Sequence, residues 1–439
     1  MVRLLQIGLA CAVLSTFASQ TFAAKISTSC SMSELNLDVS GKNIDQLMPI
    51  ASVSKVYTSL LAVTKFNLDY KFSTYAYVTP VSAGLYDVHI QGSGDPYFNK
   101  YKMHMIISKL NEMKVTKVRN LSFDENVKFL IETDKKFNVG SVTINPLLLK
   151  ASLDFPSAQL VRSEFMQIKQ ILKSYPETFS LAKANGVTMF KSADLKILNS
   201  VFKSSADFKI PPKSEKIFVS SQNIQTILKS MNWNSNNYAA NRVFVDSGSL
   251  PRFEKLYYTD FKQTKNDVEF VNGSGQNHDL TGNGRLYNVA TCRNTVRTLH
   301  ILNKAVRAQK HELQDIMSVV GSDVGSTVGG KVYKNINTDG AVIAKSGTVG
   351  TNVALAGYAY TKTGNYYFMI NAAVKNASNS EAARARTLIA LELQKLVKSK
   401  GGPVKIAYKS QNPLRDNVEN YEDEVADVDA ELIKESETN

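Results

Sequence analysis

A serine and a lysine three residues apart, Ser52 and Lys55, open a segment in which Val53, Val56, Tyr57, Leu60 and Leu61 recur at the spacing of one helical face. Residues three apart on a helix are neighbours, so Lys55 can present its amine to the Ser52 hydroxyl without help from the rest of the fold. A serine hydroxyl attacks only when a neighbour takes its proton, and a lysine does so only when burial or nearby positive charge lowers its pKa. Pro49 and Ala51 place Ser52 at the helix start, where unpaired N–H groups favour the negative charge of an acyl-transfer intermediate. The same spacing recurs at Ser180/Lys183 and Ser200/Lys203, but without that setting, and both read as solvated helical faces.

A second lysine, Lys345, ends the apolar strand Ala341-Val342-Ile343-Ala344 and precedes Ser346-Gly347-Thr348. Its charge would depress Lys55, and Gly347 would let a substrate peptide lie along the strand edge. Lys345 and Ser346 would hold a terminal carboxylate, with the N–H groups of Thr348 and Ser52 as oxyanion donors. Lys362-Thr363-Gly364-Asn365 competes with Lys345, but it falls between two alternating runs and reads as a hairpin turn. Between the two lysine motifs, Thr281-Gly282-Asn283 offers a hydroxyl and an amide on a Gly-rich loop to relay a proton and hold the substrate. Ser274 and Asn277 are a rival pair in the same loop, and the two assignments stay open. The five histidines show no His-Glu-x-x-His spacing, and neither a Gly-x-Ser-x-Gly elbow nor a Walker loop is present, so no metal and no cofactor is expected.

The elements that must position these groups are read from texture. Residues 1–23 read as a signal peptide, a basic start and a short apolar run with Thr21 and Ala23 before the cut. A lipid anchor on Cys11 is disfavoured because Gly8 stands where an aliphatic residue is needed. The mature chain exceeds one ordinary core. Residues 24–67 and 219–400 are expected to form the catalytic domain, 68–218 one or two inserted accessory domains, and 401–439 an acidic disordered tail. That tail holds ten acidic residues from Asp416 onward against Lys434 alone, so the body is more basic than the net +13. For an exported chain this basicity suits anionic wall polymer or at most peripheral membrane contact, and no nucleic acid. Helices are expected at 103–113, 162–174, 220–232, 287–308 and 381–397, and strands at 341–345, 354–360 and 366–374. Cys30 and Cys292 either pair in an oxidising compartment or serve as small buried hydrophobes.

Ser52-Val53-Ser54-Lys55, a Ser-x-Asn-like element and Lys345-Ser346-Gly347 in this order resemble the penicilloyl-serine transferases. The Gly92-Ser93-Gly94-Asp95-Pro96 loop, the stretch from Met231 to Ala240, Asn272-Gly273-Ser274-Gly275 and Leu355-Ala356-Gly357-Tyr358 are similar to the class C low-molecular-mass penicillin-binding proteins. The resemblance covers nearly the whole mature chain. It departs at Thr281, where the family has serine, and at Asn241, where a glutamate is expected. It implies a mixed α/β (α+β) fold of the transpeptidase/β-lactamase kind, an antiparallel sheet between helical layers, with the large insertion packed beside the cleft. It also implies a periplasmic or otherwise extracytoplasmic serine D-alanyl-D-alanine carboxypeptidase or endopeptidase. Its partners would be peptidoglycan stem peptides and β-lactams, with the acyl-enzyme on Ser52. The alternatives are an inactive wall-binding or regulatory protein on this scaffold and a serine β-lactamase.

Overall fold

The computed structural model describes residues 24–98, 100–127, 195–276, 287–329, 338, 340–375 and 379–410. The expected leader at 1–23, the helix expected at 162–174, Ser180 and Lys183, Asn277, Thr281, Asn283 and the acidic run from Asp416 lie outside them.

Strands β1 (Lys25–Ser33) and β2 (Val39–Lys42) pair antiparallel, and the short β3 (Met48–Pro49) leads into a 3-10 turn at Ala51–Val53 continued by helix α1 (Ser54–Lys65). The pattern predicts a helix with one apolar face, yet all ten residues from Ser54 to Val63 are buried. Internal hydrogen bonds absorb most of its polar side: Thr58 Oγ1 donates to the Gly273 carbonyl and Ser59 Oγ to that of Lys55, each at 2.7 Å. A helix with a polar stripe can therefore run through the interior.

The next elements build a separate body. Strands β4 (Lys71–Ser82) and β5 (Leu85–Gln91), helix α2 (Lys100–Glu112), and strands β6 (Lys117–Phe123), β7 (Lys196–Phe202) and β8 (Glu215–Asn223) give a five-stranded sheet ordered β7-β6-β5-β4-β8. It has its own core, including Ala76, Val88, Ile106, Leu121 and Val219. Ser200 falls within β7, so the Ser200/Lys203 spacing is a strand spacing, in contrast to the helical face expected there. The helix expected from 220 begins later, because β8 continues to Asn223. The Asn223 side chain then accepts the Thr226 N–H and caps helix α3 (Ile224–Asn234).

After α3 come α4 (Asn237–Asp246), α5 (Ser249–Glu254), β9 (Val268–Glu269), β10 (Val289–Ala290), α6 (Cys292–Ala308), β11 (Ser318–Val319), β12 (Val342–Val349), β13 (Asn352–Thr361), β14 (Gly364–Ala373) and α7 (Asn379–Ser399). The main sheet runs β11-β12-β13-β14-β1-β2, with every pairing antiparallel. Strand residues alternate between its faces: Ile343, Tyr358 and Met369 join the core of α1 and α6, whereas Val342, Leu355 and Phe368 pack with Ala385 and Ile389 of α7. This is the expected antiparallel sheet between helical layers. The exposed Lys362-Thr363 pair forms the two-residue turn of the β13–β14 hairpin.

Residues 401–410, expected to belong to the acidic tail, instead cross the sheet edge as a strap. Pro403 bridges to Thr361, Val404 N–H donates to the Tyr360 carbonyl at 3.0 Å, and Ile406 N–H to that of Gly340 at 3.3 Å. The reason lies in composition: Ile406 and Tyr408 are apolar and pack on the main core, and the run of acidic residues starts only at Asp416.

Cys30 on β1 is disulfide-bonded to Cys292 at the start of α6, across 262 residues of chain. The bond ties the sheet to the helix above it and removes conformational freedom from the unfolded chain. Replacing both cysteines by serine should cost about 2–5 kcal/mol of stability. A reductant should likewise lower the denaturant midpoint of the wild type, and an unchanged midpoint would show that the bond adds nothing.

Candidate active site

Ser52 lies in the 3-10 turn, directly after Ala51, whose φ of +48° is left-handed for a residue with a side chain. Such a conformation persists only where the surroundings impose it. Two glycines make that enclosure possible. A Cβ on Gly347 would come within 2.8–2.9 Å of Ile50 O, Ala51 Cβ and Ser52 N, and one on Gly275 within 2.0 Å of Ala51 O. Gly347 thus lets β12 close on the Ser52 turn itself, in addition to leaving the strand edge bare.

The Lys55 amine is fully buried. Its Nζ donates to Ser52 Oγ at 3.0 Å, to Asn237 Oδ1 at 2.6 Å and to the Ser274 carbonyl at 3.1 Å. Burial, and then the positive charge of Lys345, hold its pKa well below the usual lysine range. In the neutral amine, the two N–H bonds go to the oxygens that can only accept, on Asn237 and Ser274. The lone pair is then left facing the Ser52 hydroxyl, which can donate its proton to it.

Lys345 is also fully buried, and burial lowers its pKa to about 7. Its Nζ donates to Ser235 Oγ at 3.0 Å and to the Ser346 carbonyl at 2.7 Å. Ser346 Oγ donates to the Thr327 carbonyl at 3.2 Å, and Thr348 stays exposed beside Arg386, whose Nη2 is 3.4 Å from Thr348 Oγ1.

The structure therefore brings Ser52, Lys55 and Lys345 together with two side chains the motif search did not assign, Ser235 and Asn237. They occupy the tight junction of α3 and α4. Ser235 is the left-handed C-cap of α3 (φ 56°), and Asn236 caps α4 by accepting the Ala239 N–H. That bend turns Ser235 toward Lys345 and Asn237 toward Lys55. The available signal was the Ser-x-Asn spacing inside Asn234-Ser235-Asn236-Asn237, which is also a run of helix-capping residues. Ser274 serves through its backbone, while its hydroxyl donates to Asn272 Oδ1 at 3.1 Å. Asn241 accepts the Ser274 N–H at 2.9 Å and so fixes the carbonyl that receives Lys55.

The family described as D-Ala-D-Ala carboxypeptidase 3 (S13) matches residues 210–393. Among solved structures, the predatory peptidoglycan endopeptidase Bd3459 of Bdellovibrio bacteriovorus is 31% identical over 89% of this chain and 97% of its own, with a TM-score of 0.75. One of its structures is acylated by penicillin G and bound to the immunity protein Bd3460. Bd0816, a second predatory endopeptidase of that organism, is 29% identical over 89% of this chain and 98% of its own, with a TM-score of 0.73. Penicillin-binding protein 4 of Haemophilus influenzae shares the fold, at 12% identity over 85% and 97% of the two chains and a TM-score of 0.55. No curated protein sequence matches significantly.

The two buried lysines fix a sign for stability against pH. Both have folded-state pKa values below the unfolded 10.5, so the unfolded chain binds protons more tightly and unfolding free energy rises as pH climbs from about 7 toward 10.5. The loss sets in as pH falls through that window. Lys345→Met should flatten the rise in melting temperature between pH 7 and 10, and an unaltered slope would contradict the burial of a titrating amine there.

Proposed function

The chain belongs to the D-Ala-D-Ala carboxypeptidase 3 (S13) family and is a serine DD-peptidase of peptidoglycan; from that premise we propose that Ser52 carries the acyl-enzyme, with Lys55 as its base. The observation that carries this reading is the buried Lys55 amine, 3.0 Å from Ser52 Oγ, with its other two bonds taken by acceptors. Lys55 takes the hydroxyl proton as Ser52 Oγ bonds the carbonyl carbon of the penultimate D-alanine. The N–H groups of Ser52 and Thr348 stabilise the oxyanion, and Lys345 with Ser346 holds the carboxylate of the leaving D-residue. Collapse breaks the C–N bond, and the proton passes through the Ser235 hydroxyl to the departing amine. Water then attacks the ester, its proton going to Lys55, and returns Ser52 to the free hydroxyl.

We assign the second element to Ser235 and Asn237 in place of Thr281 and Asn283. Each bonds one of the two catalytic lysines, and the serine hydroxyl and asparagine amide are the groups the relay requires. The inserted body and the catalytic body are read as separate domains, meeting near 70 and 223. The basic exported form is read as periplasmic, delivered by the signal at 1–23. Among the described residues no helix is long and apolar enough to cross a membrane. Endopeptidase action on cross-links is favoured by the Bdellovibrio enzymes, which are named for it. Digestion of cross-linked muropeptides, read by mass, should show dimers falling to monomers, whereas loss of single D-alanines alone would make the chain a carboxypeptidase.

Penicillin should add to Ser52 in intact-mass and peptide mapping, and Ser52→Ala should abolish both the adduct and turnover. An adduct on another residue overturns the assignment. Ser235→Ala should slow acylation by a chromogenic β-lactam by roughly 10²- to 10⁴-fold, the usual worth of a positioned proton donor or acceptor. Thr281→Ala should cost far less, and the reverse ranking would return the second element to Thr281 and Asn283.

A further inference from the structure

The mechanism leaves unused a buried carboxylate, that of Asp323. Asp323 is fully buried. Its Oδ2 accepts from Lys229 Nζ and from the Val319 N–H, each at 2.8 Å. Its Oδ1 accepts from the hydroxyls of two strap residues, Tyr408 at 2.8 Å and Ser410 at 2.7 Å. The Tyr408 ring also lies 5.1 Å from the Lys229 amine. One carboxylate thus joins helix α3, strand β11 and the C-terminal strap.

From Asp323 the chain leads straight to the site. Ser326 N–H donates to the Asp323 carbonyl at 3.2 Å, and the next residue, Thr327, is shared between the second and third motifs. Thr327 N–H donates to the Trp233 carbonyl at 3.0 Å, two residues before Ser235, and the Thr327 carbonyl accepts Ser346 Oγ at 3.2 Å, next to Lys345. Thr327 is therefore a backbone bridge between the segments that present Ser235 and Lys345 to each other.

Resting on the reading of Ser52, Lys345 and Ser235 given above, we propose that Asp323 is a positioning residue for acyl transfer, held in place by the hydroxyls of Tyr408 and Ser410 on the C-terminal strap. The strap fixes Asp323, Asp323 fixes the turn to Thr327, and Thr327 sets the spacing of Ser235 from Lys345. Asp323, Tyr408, Ser410 and Thr327 take no direct part in the acyl-transfer steps. Their displacement shifts Ser235, Lys345 and Ser346 relative to one another, which disturbs the alignment needed in the transition state more than it weakens ground-state binding of the peptide.

The obvious variant, Asp323→Asn, leaves the buried Lys229 without a counter-charge and can fail to fold. The deciding variant is Tyr408→Phe with Ser410→Ala, which keeps the ring over Lys229 and the ion pair and removes only the two hydroxyls. The full chain is assayed for hydrolysis of a D-Ala-D-Ala peptide, acylation by a chromogenic β-lactam and thermal melting. Arg119→Gln, which breaks the exposed Arg119–Asp87 pair in the inserted body, serves as control. The double variant should lose about ten-fold or more in kcat and in the acylation rate, the scale of a small misalignment, with a smaller change in KM and at temperatures far below melting. The control should keep wild-type rates. Unchanged kcat and acylation in a folded double variant overturns the proposal, as does a loss confined to KM or one that only tracks the melting temperature. If the wild type itself is not acylated on Ser52, the underlying reading falls, and that result is separate from any difference between variants.

Discussion

The Lys55 amine has been taken out of water and given two carbonyl-type acceptors and one hydroxyl. Removing an ammonium from solvent carries a penalty of several kcal/mol, so the neutral amine is favoured, and its remaining lone pair meets Ser52. Much of the surrounding structure serves this desolvation. Helix α1 runs through the main hydrophobic core, and the loop at 272–275 and strand β12 close over its start. They approach so closely that Gly275 and Gly347 have no room for a side chain. A second buried amine, on Lys345, adds positive potential and lowers Lys55 further.

The inserted body is tied to the same arrangement. Helix α4 begins at Asn237, which bonds Lys55, and further along carries Arg242. That guanidinium pairs with Asp246 at 2.5 Å, and its Nε donates to the Gly94 carbonyl at 3.3 Å. Gly94 has a φ of +85°, in the left-handed region, and this favours glycine where the loop meets the helix. The loop is anchored within its own body by the buried pair of Lys102 and Asp95. The Gly92-Ser93-Gly94-Asp95-Pro96 segment is therefore the joint between the accessory sheet and the helix that presents Asn237.

Part of this was open to reading from the residues alone. Ser52 and Lys55 are three apart, and any helical turn makes neighbours of them, so their pairing needs no knowledge of the rest of the chain. The apolar run before Lys345 marks a strand, and two flanking alternating runs mark Lys362 and Thr363 as a hairpin turn. Apolar periodicity likewise located β13, β14 and α7 to within two residues, because burial on a helix face or sheet face imposes its own period. It also located the end of α6, whose expected first turn from 287 holds β10 instead.

What the sequence could not decide are the contacts between segments far apart in the chain. Asn237 is 182 residues from Lys55, and Ser235 is 110 from Lys345. Their side chains are polar and common, and a Gly-rich loop with Thr281 and Asn283 offered the same functional groups. Only the left-handed cap at Ser235 and the packing of α4 on α1 select which hydroxyl and which amide meet the lysines. The burial of the polar side of α1, the pairing of Cys30 with Cys292 and the docking of Tyr408 on Asp323 belong to the same class. Local spacing determines which residues can react within one turn of helix. The packing of distant segments determines which of them lose water together, and that loss sets the protonation state the chemistry depends on.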